Sequence, residues 1–173
     1  MADPDAAITS NRRALSAFVD AAHAAPPALW AIPRAPGKWS PGQVAEHVAL
    51  AYEQTRRMLQ GSFDGPARPR YQQLLARWIG LPQLLRRGVF GTGPFRTPDF
   101  IQPSGSPASS TVLLARLEAA AHDLEEDLAA VSDTPRRATV DHPIFGRVPL
   151  RDLLSFLVIH TNHHRPQLSV SAF

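Results

Sequence analysis

The stretch His160-Thr161-Asn162-His163-His164-Arg165-Pro166-Gln167-Leu168 places three histidines near the end of the chain. The run before it is apolar at helical intervals, which predicts a final helix that begins near Pro149. On that helix His160 and His164 lie one turn apart, in or beside the apolar stripe, whereas His163 points away. Two imidazoles at this spacing can bind one transition metal. The pair alone leaves two interpretations open: a metal site or hydrogen-bonded core histidines.

The clearest helix start in the chain is Ser40-Pro41-Gly42-Gln43. Serine can cap the helix, proline suits its first position, and glutamine three residues after the serine completes a capping box. The helix should end at about Leu59 or Gln60. His47 lies at the edge of its inward face, and Glu46 points towards solvent. That inward face consists of Val44, Val48, Ala51, Thr55 and Met58. The prolines after residue 25 belong to a connection in which Trp30 and Trp39 are interpreted as packing residues.

The remaining pattern predicts two more long helices, from about Thr9 to Ala24 and from about Pro107 to Val131. Residues 71 to 88 are helical in pattern but broken at Gly80-Leu81-Pro82, and residues 89 to 108 are irregular. We therefore expect one all-α domain over residues 1–173. It is an up-down four-helix bundle with a long second-to-third helix connection that carries an extra broken helix. The inward residues of the third long helix are Val112, Leu113, Leu117, Ala120, Leu124 and Leu128. Its acidic cluster, Asp123, Glu125, Glu126 and Asp127, is interpreted as a solvated face, and a loop with Asp133, Pro135, Pro143 and Gly146 leads to the final helix.

Composition, charge and hydropathy exclude several classes of protein and of metal site. The chain has no cysteine, so it can form neither a disulfide nor a cysteine metal site. The start lacks the features of a signal peptide and no apolar run reaches the length of a membrane span, so we expect a cytoplasmic protein. The net charge is only +3 and the arginine pairs are scattered, which argues against nucleic-acid binding. The arginines among the apolar residues of 71 to 88 would fit a membrane-surface helix, but packing on the bundle or on a second subunit is preferred.

Two segments together resemble a known family. Residues 37–48 are similar to the "W-S-x-x-x-x-x-x-H" start of the second helix in the DinB-like (DinB/YfiT) four-helix bundles. His142-Pro143-Ile144-Phe145-Gly146 and the stretch from His160 resemble the family's "H-P-x-F-G … H-x-x-x-H-R-x-Q-L" closing segment. The resemblance spans nearly the whole chain except residues 62 to 108. It implies a divalent transition metal on His47, His160 and His164, with zinc or nickel favoured and iron or manganese as further options, and it excludes His163 as a ligand.

The resemblance also implies a function. Some relatives are metal-dependent enzymes, which suggests thiol-dependent S-transfer or hydrolysis on a small molecule. The thiol would be a low-molecular-weight co-substrate. A homodimer is expected, with residues 71 to 88 as a candidate contact. No catalytic residue is assigned, since His163, His142 and Arg165 are candidates only by proximity in sequence. The alternative is a non-catalytic, stress-related helical bundle with a structural metal or none. Pro166 predicts a kink beside His164.

Overall fold

A computed structural model describes residues 4–91, 96–130 and 139–169. These residues form six α-helices and one small antiparallel sheet: α1 Pro4–His23, α2 Pro41–Leu59, α3 Arg70–Leu75, α4 Leu81–Arg87, α5 Ser110–Ala130, β1 Thr139–His142, β2 Gly146–Pro149 and α6 Leu150–His164. Four of the helices, α1, α2, α5 and α6, form a bundle in which α2 packs against α5 and α1 packs against α6. The predicted all-α four-helix bundle is confirmed. No helix in the described part of the chain is long and apolar enough to cross a membrane.

The core lies between the four long helices, and each contributes large buried side chains. The buried set includes Phe18, Val44, Val48, Tyr52, Leu113, Leu117, Leu124, Leu153 and Leu157. Each such aliphatic or aromatic side chain stabilises the fold by about 1.5–3 kcal/mol relative to exposure. One polar pair crosses this core, because the Tyr52 hydroxyl donates to Asn11 Oδ1 at 2.9 Å. Burial raises the pKa of Tyr52 to about 12, so the phenol remains a hydrogen-bond donor at neutral pH.

The start of α2 is as predicted. The Gln43 amide donates to Ser40 Oγ at 3.2 Å, and the Ser40 amide donates to Gln43 Oε1 at 3.0 Å, so both halves of the capping box are present. Trp30 is buried beside this turn, where its carbonyl accepts from the Gly42 amide at 2.8 Å. A Cβ on Gly42 would lie 2.8 Å from Trp30 Nε1 and from Pro107. Because a side chain would clash with Trp30 and Pro107, position 42 requires glycine. This contact also sets where α2 begins.

Two expectations for α5 are wrong. Val112, which was predicted to face inward, is 57 % exposed, whereas Leu114 faces the core together with the correctly predicted Leu113. The acidic cluster is not simply solvated, because carboxylates in it pair with Arg12 of α1 and with Arg56 of α2. Exposed ion pairs of this kind contribute about 0–1 kcal/mol each. Their main effect here is to fix which faces of α1 and α2 meet α5.

The loop expected before the final helix is, over its described part, a β-hairpin. Strands β1 and β2 pair with Val140 opposite Val148 and with His142 opposite Gly146. Gly146 has a φ of +65°, which favours glycine. His142 is buried, and its Nδ1 accepts from the Ile144 amide at 3.1 Å and from the Phe145 amide at 3.3 Å. Strands of four residues are too short to show alternation in sequence. Asp133 and Pro135 lie outside the described residues.

The broken helix of the long connection is confirmed. A π-helical turn over Ala76–Gly80 joins α3 to α4 just before Pro82, which lacks an amide proton. Leu81 is buried against the bundle at 3 % exposure. Before Leu81, α3 and the π-helical turn carry large exposed apolar side chains, namely Tyr71, Leu74, Leu75, Trp78 and Ile79. Packing on the bundle thus accounts for only part of this element, and these apolar side chains form an exposed apolar outer face.

Candidate metal centre

The structure brings together the three histidines that the sequence predicted to share a site. His47 comes from the second turn of α2, and His160 and His164 come from the end of α6. One nitrogen atom from each ring lies within 4.8 Å of the corresponding atoms of the other two. The Nε2 atoms of His47 and His160 are 3.0 Å apart. The three side chains are only 3 %, 6 % and 8 % exposed, in sequence order.

The backbone orients His47. Its Nδ1 lies 2.7 Å from the carbonyl oxygen of Ile101, in a 3₁₀ turn of the long connection. A carbonyl can only accept, so Nδ1 carries the proton and the neutral ring keeps its lone pair on Nε2. Glu46 holds this segment in place by accepting from the Ser104 amide at 2.9 Å and from the Ser104 hydroxyl at 2.7 Å. The expectation that Glu46 is merely solvated is therefore wrong.

Gln167 orients His164. Its Oε1 accepts from His164 Nδ1 at 3.1 Å, and its amide nitrogen lies 3.3 Å from Nε2 of the exposed His163. This arrangement leaves Nε2 of His164 unprotonated, as metal binding requires. Gln167 reaches both rings because α6 ends at His164 and continues as a 3₁₀ turn over Arg165–Leu168. Pro166 predicts a kink beside His164; the structure shows a change from α-helix to a 3₁₀ turn there, with Arg165 in helical geometry at φ −51° and ψ −50°. His163 lies outside the triad.

The electrostatics of the cluster fit a cation. Burial lowers the pKa of His47 to about 4 and that of His164 to about 3, and it lowers the pKa of His160 well below 6.5. The side-chain charges that act on these pKa values are those of neighbouring histidines and Arg34, so no carboxylate favours protonation. The Nδ1 of His160 is buried without a hydrogen-bond partner. Three neutral rings with converging nitrogens can offer lone pairs to a cation. Two nitrogens bound to one tetrahedral zinc lie about 3.3 Å apart, within the observed range of spacings.

Aromatic rings enclose the triad. The ring centroid of Trp39 lies 4.7 Å from that of His47 and 6.2 Å from that of His164, so Trp39 packs against the triad, in keeping with the packing role predicted for it. Phe90 lies 6.1 Å from His160 on another side. Such apolar surroundings exclude water and strengthen interactions with a bound charge.

The three candidates for a general base lie outside the triad, in different surroundings. His142 stacks on Phe145 in the hairpin, where it stabilises the turn. Arg165 is exposed, and His163 contacts the triad only by its ring edge, at 4.9 Å between centroids from His164. Within the described residues, the triad is the single group of histidines and carboxylates whose geometry could hold a metal.

Sequence reasoning missed the polar atoms that orient the ligands. The carbonyl of Ile101 leaves no signal, because every residue has a carbonyl. Gln167 did carry a signal: it follows His164 by three residues, a spacing at which side chains meet on a helix.

Comparisons with known proteins agree with this structure. The family model of the DinB superfamily matches residues 8–168. A solved structure described as TT2238, a four-helix bundle protein, is similar to this chain with a TM-score of 0.58 and 26 % identity, covering 96 % of this chain and 98 % of that one. No curated protein matches the chain. Since the family model covers nearly its whole length, the chain belongs to the DinB superfamily.

Proposed function

We propose that this protein is a metal-dependent enzyme that acts on a small molecule, with His47, His160 and His164 as ligands of one divalent transition metal. Zinc or nickel is the favoured ion, since imidazole suits both. The reaction class is thiol-dependent S-transfer or hydrolysis. The observation that carries the proposal is the convergence of three buried imidazoles whose low pKa values keep them neutral.

Each residue of the site has a separate task in this proposal. The Ile101 carbonyl and Gln167 hold protons on the outer nitrogens of His47 and His164, so their inner nitrogens remain available as ligands. Trp39 and Phe90 limit the access of water. Three protein ligands leave coordination positions open, as in catalytic zinc sites. When bound, the metal would lower the pKa of a thiol or water and so supply a nucleophile at neutral pH.

The low exposure of the triad favours a second candidate. Side chains that are only 3 %, 6 % and 8 % exposed also suit a structural metal that fastens α2 to α6 without catalysis. The two candidates differ in whether an external molecule can reach the ion. A structural ion stays closed to added ligands, whereas a catalytic ion exchanges one of its positions.

Elemental analysis of untagged protein tests the site. We expect about one equivalent of metal in the wild type and its loss in His47→Ala and His160→Ala, because tight binding needs all three ligands. His163→Ala is the matched control, since it removes the adjacent imidazole outside the triad. Metal-free wild type after reconstitution, or equal loss in the control, would refute the ligand set.

Cobalt substitution separates the two candidate functions. The chain has no cysteine, so a sulfur-to-cobalt absorption band can arise only from an added thiol. A band that appears on thiol addition supports the enzyme. A cobalt spectrum that no thiol or other small ligand alters supports the structural metal instead.

A further inference from the structure

A groove of about 760 Å³ lies between the β-hairpin and the segment that leads from the end of α2 into α3. This volume is typical of a site for a small molecule. Both walls supply apolar surface, since Met58, Val140 and Phe145 line the groove and are between 4 % and 9 % exposed. Hydrogen bonds tie the walls together: the Arg68 amide donates to the Pro143 carbonyl at 2.8 Å. The groove is therefore part of the folded structure.

The groove is separate from the candidate metal centre. On α2, Met58 follows His47 by eleven residues, so the two positions are about 16 Å apart along the helix. On the hairpin side, the ring of Phe156 packs against both sites, with its centroid 5.8 Å from that of His142 and 6.0 Å from that of His160. The lining of the groove includes His142 but none of the triad histidines. A ligand in the groove would therefore not contact the metal.

Positive charge lines the groove from both walls. Arg70 and Arg77 are about two helical turns apart, so they lie on one side of α3 and the π-helical turn, and both line the groove. Arg147 lines it from β2, where its Nε donates to Thr139 Oγ1 at 2.7 Å. None of these arginines forms an ion pair with a carboxylate of the described residues. Against the three arginines the described lining has one carboxylate, that of Asp141, so its formal charge is +2.

His142 adds a hydrogen-bond donor to this lining. Its Nδ1 accepts from the Ile144 and Phe145 amides, so the proton of the neutral ring is on Nε2. The side chain is 6 % exposed and lines the groove, yet Nε2 has no hydrogen-bond partner among the described residues. A buried ring that lines a cavity and keeps an unused N–H indicates an acceptor from outside the chain. Beside three guanidinium groups, that acceptor is best supplied by an anion.

We propose that this groove is a second ligand site and that it binds a small phosphate monoester with an apolar substituent. The formal charge of the lining matches a phosphate dianion more closely than a singly charged carboxylate. Guanidinium groups bind phosphate oxygens through paired N–H donors, and His142 supplies one more donor. The apolar side chains of the two walls receive the substituent. The site goes beyond the proposed function, because it requires neither the metal nor a thiol.

Three naphthalene derivatives test the ligand class by calorimetry at pH 8. Naphthylphosphonate replaces the monoester, since its carbon–phosphorus bond resists hydrolysis and its head group is doubly charged at this pH. Naphthoate carries one charge, and naphthylmethanol carries none. The affinity should fall in that order, by roughly tenfold at each step, and inorganic phosphate should bind more weakly than the phosphonate because it lacks the ring. No binding of the phosphonate overturns the site, and an equal affinity for naphthoate overturns the phosphate assignment.

Substitutions on both walls test the residues. Arg70→Gln and Arg147→Gln each remove an exposed cation and should raise the Kd of naphthylphosphonate roughly tenfold, the scale of one hydrogen bond to a charged group. His142→Asn keeps an acceptor for the turn amides but removes the Nε2 donor, so it should weaken binding by a similar factor. Arg86→Gln is the matched control, because Arg86 is exposed on α4 and does not line the groove. An unchanged Kd in either lining-arginine variant overturns the inference.

Amide chemical shifts locate the bound phosphonate. Gly61, Gly65 and Gly146 line the groove, whereas Gly37 and Gly42 lie near the start of α2. The first three amide peaks should shift on addition of naphthylphosphonate, both in the protein as purified and after a chelator has removed any metal. Shifts confined to the last two glycines, or a loss of binding after chelation, would assign the phosphonate to the metal centre and overturn the inference. Failure of the metal proposal leaves this expected result unchanged, so the two proposals fail separately.

Discussion

The buried hairpin histidine predicts how stability depends on pH. Burial lowers the pKa of His142 from 6.5 to about 3 in the folded protein. In the unfolded chain the imidazole is in water and binds a proton near its ordinary pKa. Below pH 6.5 the unfolded state therefore binds more protons than the folded state, so the free energy of unfolding falls as pH falls. The stabilising effect of the neutral imidazole is complete above pH 6.5 and is lost progressively down to about pH 3.

The size of the effect follows from the two pKa values. At pH 5.5 the folded imidazole remains neutral, whereas about nine in ten unfolded chains carry a proton there. The contribution lost between pH 8 and pH 5.5 is therefore about 1.4 kcal/mol. In protein without metal, the lowered pKa values of the buried triad histidines also make the free energy of unfolding fall as pH falls. The contribution of His142 is therefore obtained by comparing the pH dependence of the free energy of unfolding in the wild type with that in a His142 variant.

His142→Asn is the variant of choice. Asparagine places Oδ1 where histidine places Nδ1, so the amides of Ile144 and Phe145 keep an acceptor, but the titrating group is gone. Urea unfolding at pH 8 and pH 5.5 should show a loss of stability smaller by about 1.4 kcal/mol in the variant than in the wild type. His122→Asn makes the same change on the exposed surface of α5 and serves as control. An equal loss in His142→Asn and the wild type would refute the assignment of a buried, neutral imidazole.

Three further predictions concern the core, the site and the apolar outer face. Tyr52→Phe should lower the free energy of unfolding by about 1–3 kcal/mol, because buried Asn11 Oδ1 loses its donor, and urea unfolding measures this. Gln167→Ala should weaken metal binding about 10–100-fold in a chelator competition, since His164 loses its orienting partner, while Gln167→Glu keeps the acceptor and should bind normally. Trp78→Glu should convert the expected homodimer to a monomer by sedimentation, because that side chain is 68 % exposed on the apolar outer face of α3 and the π-helical turn that follows it. A wild type that is already monomeric would contradict the last prediction.

The bundle and its histidines were predictable because helical periodicity reports burial. Val44, Val48 and Met58 repeat at helical intervals in α2 and all face the core, and His47 lies on the edge of the same face. The capping box at Ser40 fixed the register of that helix, so the direction of His47 followed from local chemistry alone. In α5 the helix begins at Ser110, three residues after the predicted start at Pro107, and Val112 in its first turn faces outward instead of inward.

Other features could not be predicted because their signals are short or come from elsewhere in the chain. The hairpin strands have four residues each, and their pairing depends on burying Val140 and Val148 against the bundle. The exposed apolar residues of α3 and of the π-helical turn have the same sequence pattern as a buried face, because a sequence does not show which surface would cover them. Glu46 looked solvated because its partner, Ser104, lies in a segment without regular structure.

The site therefore combines two kinds of position, and they respond differently to substitution. The ligands lie on rigid helices, where periodicity reveals them and where packing holds their backbone in place. Their orientation comes from the Ile101 carbonyl and Gln167, which lie in 3₁₀ turns next to those helices. Glu46 links the ligand-bearing helix to the segment around Ile101. It lies on α2 with His47, and its carboxylate accepts from the Ser104 amide in that segment. A substitution in the segment around Ile101 can therefore change the tautomer of His47 on α2 without contacting that side chain. The reason is that the Ile101 carbonyl accepts the hydrogen bond that holds the proton on His47 Nδ1.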